Sequence, residues 1–471
     1  MSEKKHFFKF ILFLASFFAL CFAGIYAGYV WFFGLPSVYD ETYYAGLKVK
    51  YDRLTSVKEP KIVVIGGSSV AFGIDSKTVE RETGMPCVNF GLYAAFGFKP
   101  MTDMAKESIG EGDIVILAPE LSAQMYSDYV GYDYLLDALE GRWDMAKALG
   151  KDYVKGLLGA GPEYMKRRKE IEKNGLNVEG VYARSSFDEY GDMIFERKEN
   201  IMNGGYLKTD LPEISASILT EEFFETVNSF ADFCKKKGAS VYFGFPPVNA
   251  LSADGESSEK EAFLSGLREG LDFDVLQSLD DHIMDAGYFY DSNFHTNDAG
   301  TVYNTVLLIN DIKRIKGEMT LVSVTIPEPY AMDSGNEESD TESDGIFLYA
   351  LASKGIVIKG LTEEGKALDL LDVPGELAGY GVWCIDAFAF ENAKAATLII
   401  PESVTSIREG IIRNAAVKTV YINCSAIPEV ASDMLYGALD DVILYIRPDL
   451  YGKFSTDYFW GNFAEHMRPG E

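Results

Sequence analysis

The chain has 471 residues, which is too long for one ordinary core and suits two domains with accessory segments. Apolar residues make up 47% of the chain, so a sizeable core is possible and the composition argues against global disorder. The 43 basic and 72 acidic side chains give a net charge of −29, and such a surface repels nucleic acid.

Residues 1–36 predict a short cytoplasmic tail and a membrane anchor. No charged residue lies between Lys9 and Asp40, and the apolar run Phe10–Gly34 is about the length that spans a bilayer as a helix. Positive charge before this run places the N-terminus inside and the bulk of the chain outside the cell. A cleaved signal peptide is the alternative, but its apolar core would usually be only about 7–15 residues. We therefore expect a single-pass protein of the cell membrane.

A stem at 37–59 leads into an α/β domain at 60–317, where short apolar runs alternate with helical patterns. This alternation is typical of a parallel sheet covered on both faces. The predicted strands are Lys61–Ile65, Pro86–Phe90, Asp113–Leu117, Ser240–Phe245 and a fifth at Phe273–Leu276, and the clearest predicted helices are Glu221–Lys237 and Asp298–Lys316. An insertion at 129–219 either forms a lid over the carboxyl edge of the sheet or is a structural elaboration.

An acidic stretch at 318–345 predicts a disordered linker to a last domain at 346–471. In that domain Val382–Ile385 matches Val404–Ile407 at an offset of 22 residues, and a weaker third unit begins at Thr419. A period in the twenties is typical of a solenoid in which each turn adds a strand.

Five cysteines are scattered along the chain without a CxxC pair. This pattern argues against a zinc site and against a disulfide framework, so we predict no metal and no organic cofactor. The five are Cys21, Cys87, Cys234, Cys384 and Cys424.

The candidate site combines residues from the two ends of the α/β domain. The first strand runs into a small-residue turn with Gly67 and Ser68, where an open α/β sheet presents its ligands. The last segment carries Asp291 and His295 just before a helix. Imidazole can accept the proton of a serine hydroxyl near neutral pH, and a carboxylate fixes its tautomer. We prefer His295 to His282, the other histidine of this domain, because Asp291 is close by.

Each of these residues also has a plain structural interpretation. Ser68 can be a turn residue, and His295 can merely cap the final helix. Ser69 is the alternative nucleophile if the turn is shifted by one residue. We expect Glu120, which follows the third strand, to pack or to form a salt bridge rather than to catalyse.

With these motifs, the segment Lys61–Lys316 resembles the SGNH (GDSL-type) hydrolase superfamily. The resemblance implies a flavodoxin-like, three-layer α/β fold. The first block of that family, Gly-Asp-Ser, reads Gly66-Gly67-Ser68 here and places the nucleophile at Ser68. The last block, usually Asp-x-x-His, corresponds to Asp291 and His295 with one additional residue between them.

The oxyanion blocks of the family match less completely. Asn89–Gly91 and Gly97 resemble the second block, where backbone N–H groups help to hold the oxyanion together with the turn at Gly67. The third block, Gly-x-Asn-Asp, is absent, because the third strand ends in Leu117–Glu120. One oxyanion donor is therefore missing or comes from elsewhere.

The layout as a whole is similar to membrane-anchored SGNH-like proteins that handle acyl groups on bacterial envelope polymers. These include D-alanyl transfer proteins of teichoic acid pathways and polysaccharide O-acetyltransferase-like proteins. Residues 347–463 resemble bacterial BspA-like leucine-rich repeats, which implies a surface-exposed interaction module; a small β-rich capping domain is the alternative.

The resemblance implies a cell-surface serine esterase or O-acyltransferase that acts on acylated envelope or extracellular glycans. The competing hypothesis is a catalytically degenerate surface protein that binds a protein partner through its repeats. The missing third block favours the second hypothesis, whereas the retained Ser68, Asp291 and His295 favour the first.

Overall fold

The fold is that of a computed structural model. It describes residues 2–33, 36–176, 178–208, 210–253, 257–276, 278–318, 322–331, 341–352, 354–430, 434–435, 442–457 and 460–470.

An apolar helix, α1 (Ser2–Phe33), forms the N-terminal part of the chain. Its stretch Phe8–Gly28 has a mean hydropathy of 2.3, and none of it is buried within the protein. By length and composition this helix can cross a membrane, although a signal sequence has the same properties.

A four-stranded parallel sheet organises the region that follows, in the order β2-β1-β3-β4. Its strands are β1 (Ile62–Gly66), β2 (Cys87–Gly91), β3 (Ile114–Ala118) and β4 (Ser240–Phe243), and a smaller pair is formed by β5 (Val248–Asn249) and β6 (Ile283–Met284). The helices are α2 (Gly46–Ser56), α3 (Ser68–Gly73), α4 (Ser76–Thr83), α5 (Phe98–Ala105), α6 (Tyr132–Leu139), α7 (Trp143–Leu149), α8 (Val154–Asn174), α9 (Glu221–Lys236), α10 (Ser257–Gly270), α11 (Leu279–His282) and α12 (Asp298–Ile315).

Helices cover both faces of this sheet. Successive residues of a strand point to opposite faces, so alternate residues of β1 enter two different cores. Val63 and Ile65 of β1 lie in a core with α2, α5 and α9. Ile62 and Val64 of the same strand lie in a second core with α4 and α12. Both faces of β1 are thus buried, which explains its continuous apolar sequence.

The sequence-based strands agree with the structure to within one or two residues, except for the fifth. The predicted strand Phe273–Leu276 is reduced to an isolated bridge between Phe243 and Val275. Most of the predicted acidic linker, at 332–340, lies outside the described residues. A short strand, β7 (Glu342–Ser343), falls within the last residues of the predicted linker and pairs with the domain that follows.

The C-terminal region is rich in β-strands, most of which pair in parallel. After β7 its strands are β8 (Phe347–Ala352), β9 (Gly355–Leu361), β10 (Leu370–Asp372), β11 (Glu376–Leu377), β12 (Tyr380–Ile385), β13 (Thr397–Ile400), β14 (Ser406–Ile407), β15 (Thr419–Ile422), β16 (Glu429–Val430), β17 (Ile443–Ile446) and β18 (Met467–Pro469). Two helices, α13 (Glu363–Lys366) and α14 (Tyr451–Thr456), complete the region.

The 22-residue offset of the sequence reappears in the strand register. Cys384 of β12 pairs with Ser406 of β14, and Thr397 of β13 pairs with Thr419 of β15. The strand at Thr419, which the sequence analysis grouped with the β12 and β14 segments, therefore belongs to the other sheet. Strands of both sheets recur at about this spacing, so the sequence pattern alone does not show which sheet a given strand joins.

A buried ion pair fixes the start of the α/β sheet. Lys61 Nζ lies 2.9 Å from Asp113 Oδ2, and the two side chains are only 3% and 2% exposed. The same carboxylate accepts hydrogen bonds from the backbone N–H groups of Lys61 and Gly110, at 3.0 and 2.9 Å. Asp113 thus ties β1 to the turn before β3.

We expect Asp113→Ala to lower the free energy of unfolding by about 3–5 kcal/mol, because it leaves the Lys61 ammonium buried without its partner. Asp449→Ala, which removes an exposed ion pair to Arg447, is the matched control and should leave the melting temperature unchanged. Thermal unfolding of both variants tests this expectation, and equal melting temperatures would contradict it.

Candidate functional site

Ser68 is the first residue of α3, directly after β1 and the turn residue Gly67. This places its hydroxyl at the carboxyl edge of the parallel sheet, where open α/β sheets present their ligands. Ser68 is half-buried, whereas the neighbouring Ser69 is fully buried. Of the two serines, Ser68 is therefore the one accessible to a substrate.

His295 and Asp291 form a hydrogen-bonded pair within one tight loop. His295 Nδ1 lies 2.7 Å from Asp291 Oδ1. The backbone N–H of Tyr290 donates to the carbonyl of His295 at 2.9 Å, and a bridge joins Phe289 to Thr296. Because the loop folds back on itself, a carboxylate four residues before the histidine reaches the ring, as a carboxylate at the usual spacing of three residues would. With Nδ1 donating to the carboxylate, Nε2 is the nitrogen left to accept a proton.

Phe72 connects this pair to the helix of Ser68. Its ring stacks on the imidazole of His295 with centroids 4.0 Å apart and planes inclined by 8°. Ser68 and Phe72 are four residues apart on α3 and therefore share one side of that helix. The serine and the imidazole are thus joined through about one helical turn, a rise of about 6 Å.

Two hydrogen bonds hold α12 and its preceding loop against the end of α3. The hydroxyls of Thr296 and Thr301 both donate to the carbonyl oxygen of Phe72, at 2.9 and 2.7 Å. The side-chain amide of Asn304 donates to the carbonyl of Gly73 at 2.8 Å. These contacts fix the position of His295 relative to the serine turn.

The Ser68 hydroxyl is hydrogen-bonded to Glu120 rather than to His295. It donates to Glu120 Oε1 at 3.3 Å, and the same oxygen accepts the Ser69 N–H at 2.6 Å. Burial raises the pKa of the Glu120 carboxyl above its usual range. Of the two roles expected for Glu120, the salt bridge is not found in the described part of the chain, and the side chain is packed in the interior at 3% exposure.

The glycines of the site allow close backbone approaches. A methyl group on Gly67 would lie 2.0 Å from Glu120 Oε2, and one on Gly91 would lie 2.7 Å from the carbonyl oxygen of Gly67. Gly97 has a φ of +88°, and a methyl group there would lie 2.0 Å from the carbonyl oxygen of Tyr129. Gly67 thus lies in the serine turn and Gly91, at the end of β2, packs against it, whereas Gly97 packs against the first residue of the insertion.

Asn89 belongs to a separate buried polar cluster. Its amide donates to Asp192 Oδ1 at 3.1 Å, and its side-chain oxygen accepts a hydrogen bond from Lys50 Nζ at 2.9 Å. Lys50 also donates to the carbonyl of Gly191, and Ser76 donates to Asp192. The side chain of Asn89 therefore ties the insertion to β2 and makes its hydrogen bonds away from the serine turn.

Three further residues near the pair were not identified from the sequence. The Tyr182 hydroxyl, from the insertion, donates to Asp291 Oδ2 at 2.6 Å. The Arg197 guanidinium, also from the insertion, lies 5.3 Å from the Phe72 ring centroid and donates to Thr301 Oγ1 at 3.2 Å. Phe72 itself is the third. The one sequence signal for the first two was the tyrosine- and charge-rich composition of the insertion.

The site thus holds an imidazole oriented by a carboxylate and a half-buried serine hydroxyl on the helix that packs against it, but in this structure the hydroxyl bonds to Glu120 and makes no hydrogen bond to His295. Such a constellation is suited to nucleophilic attack on a carbonyl. Over the residues that the structure describes, no group of three His, Cys, Asp or Glu side chains is placed to hold a metal ion.

Comparisons with known proteins give little further information about this chain. No protein-family model matches the chain, and no curated protein matches it. The crystal structure of protein YxiM from Bacillus subtilis is similar at 14% identity and a TM-score of 0.25. That match covers 55% of this chain and 57% of the YxiM chain, so the two overlap over little more than half of their lengths. At this TM-score the likeness carries no argument about function.

His282, the histidine not chosen as a base, is 2% exposed, and burial lowers its pKa to about 4. The unfolded chain binds this proton near pH 6.5, so acid favours unfolding across the window from about 6.5 to about 4. We expect the free energy of unfolding to fall by about 3 kcal/mol over this window through His282 alone. His282→Gln should flatten that dependence in urea denaturation at several pH values, and parallel curves would contradict the assignment.

Proposed function

We propose that the protein is a membrane-anchored, SGNH-type serine esterase or O-acyltransferase. Ser68 is the nucleophile, His295 the general base and Asp291 the residue that orients the imidazole. The observation that carries this proposal is the His295–Asp291 pair, packed through Phe72 onto the helix that begins at Ser68.

In the proposed reaction, Ser68 Oγ attacks an ester carbonyl while its proton passes to His295 Nε2. The tetrahedral intermediate collapses, and the imidazolium returns the proton to the departing alcohol, leaving an acyl group on Ser68. Water or a sugar hydroxyl then attacks this acyl group and gives its proton to His295, and the imidazolium returns the proton to Ser68 Oγ as the bond between Ser68 and the acyl group breaks. The hydroxyl must first rotate away from Glu120, and catalytic hydrogen bonds are often loose before substrate binds.

For the substrate we propose an O-acylated glycan of the cell envelope or of the extracellular space. An apolar N-terminal helix with lysines in its first turns would hold the α/β domain at the outer face of the membrane, close to such polymers. No metal or organic cofactor is required for this chemistry.

The C-terminal strands, whose parallel register follows a period near 22 residues, fit a BspA-like leucine-rich-repeat solenoid. Their position beside the site supports a role in presenting the glycan or a protein partner. Glu409 of this region accepts a hydrogen bond from the Lys208 N–H at 3.3 Å. The neighbouring Leu207 exchanges hydrogen bonds with Asn293, which is two residues from His295.

Labelling with a fluorophosphonate probe tests the proposed nucleophile in full-length protein in membranes. Wild type should be labelled, Ser68→Ala should not, and His295→Ala should react at least about 100-fold more slowly because its base is lost. Ser69→Ala is the matched control, and we expect it to be labelled because Ser69 is fully buried.

The competing hypothesis of a binding protein makes the opposite forecast. A folded wild-type chain that resists the probe would exclude an activated Ser68 and leave the repeats as the functional part. Labelling of Ser68→Ala would equally overturn the assignment of the nucleophile.

A further inference from the structure

Glu120 stands where the sequence lacks an expected hydrogen-bond donor. It follows β3 by two residues and is 3% exposed. Its Oε1 accepts two hydrogen bonds from the serine turn, from the Ser69 N–H at 2.6 Å and from the Ser68 hydroxyl at 3.3 Å. In a neutral carboxyl group, the carbonyl oxygen can accept both of these bonds.

The second oxygen, Oε2, is buried and has no hydrogen-bond partner among the residues described. It lies against Gly67, where an added methyl group would come within 2.0 Å of it. A buried acceptor without a donor costs free energy, and an ionised carboxylate in that state costs more than a neutral acid. A protonated Oε2, in contrast, needs only one acceptor, and because Oε2 is enclosed in this structure, that acceptor must reach it as a substrate binds at Ser68.

The surroundings of the carboxyl group favour its neutral form. Burial has the largest influence and raises the pKa of Glu120. Two titratable groups act on it in addition: His295, when charged, lowers this pKa, and Asp210 raises it. Hydrogen bonds from the serine turn also lower it, but burial prevails.

We propose that Glu120 is a catalytic residue that works as a protonated carboxylic acid, with Oε2–H donating a hydrogen bond to the oxyanion of the tetrahedral intermediate. It would thereby replace the donor of the missing Gly-x-Asn-Asp block. The proton stays on Glu120 throughout, so the proton balance of the acyl transfer is unchanged. An ionised Glu120 would repel the oxyanion instead. This inference rests on the proposed function of Ser68.

The test compares Glu120→Gln and Glu120→Ala with wild type, all as full-length protein in membranes. The readouts are the second-order rate of fluorophosphonate labelling and the hydrolysis of 4-nitrophenyl acetate between pH 5 and 10. Glu120→Ala should lower kcat by about 100- to 1000-fold with little change in KM, the usual loss for one oxyanion donor. Glu120→Gln, whose amide still donates, should stay within about 10-fold of wild type.

The pH profile separates a donor from a base. If the neutral acid is the active form, wild-type activity falls as the pH rises through the pKa of Glu120. Glu120→Gln should lose this alkaline decline, because its amide does not titrate. If Glu120 instead serves as an ionised base, the Gln variant will be as inactive as the Ala variant, and the inference fails.

Other outcomes are equally decisive. Glu120→Ala with wild-type rates would make Glu120 a packing residue and overturn the inference, whereas wild type that resists the probe would overturn the proposed function together with it.

Gly67→Ala provides a variant that leaves Glu120 itself intact. Its methyl group displaces Oε2, so labelling should slow by at least about 10-fold, a part of the loss expected for one oxyanion donor. Gly159→Ala, on the exposed face of α8 with no atom near the added methyl group, should label as wild type does.

Discussion

The candidate site depends on the contact between the end of α3 and the start of α12. Thr296 and Thr301 donate to one carbonyl oxygen, that of Phe72, and the Phe72 ring stacks on His295. These contacts join α3, which follows β1, to α12 and its preceding loop, more than 200 residues later in the chain. Without them, Ser68 and His295 would lie on elements that only the shared core connects.

A second constraint is the narrow space at the turn between β1 and α3. Gly67 leaves room for a carboxyl group, and Glu120 fills that room from the end of the neighbouring strand. In water a carboxyl group would be ionised at neutral pH, but burial shifts it towards the neutral form. Neutral and ionised forms would have opposite effects on an oxyanion, so the proposed role of Glu120 depends on its protonation state.

The insertion contacts the loop that carries Asp291 and His295, and the C-terminal region contacts the insertion. The Tyr182 hydroxyl of the insertion donates to Asp291, and Glu409 of the C-terminal region accepts a hydrogen bond from the Lys208 N–H. The buried cluster of Lys50, Asn89 and Asp192 anchors the insertion to β2, so its contribution to the site is fixed rather than incidental.

The sequence by itself determined the α/β alternation, the four main strands and the pairing of Asp291 with His295, because apolar periodicity and local spacing encode these features directly. It also indicated the apolar N-terminal helix and the 22-residue register of the C-terminal strands. Only the tertiary structure decided that the Ser68 hydroxyl donates to Glu120, that Asn89 accepts a hydrogen bond from Lys50 and that the Phe72 ring stacks on the imidazole of His295. These contacts join residues far apart in the chain, and no local pattern records which distant side chains will share a buried space.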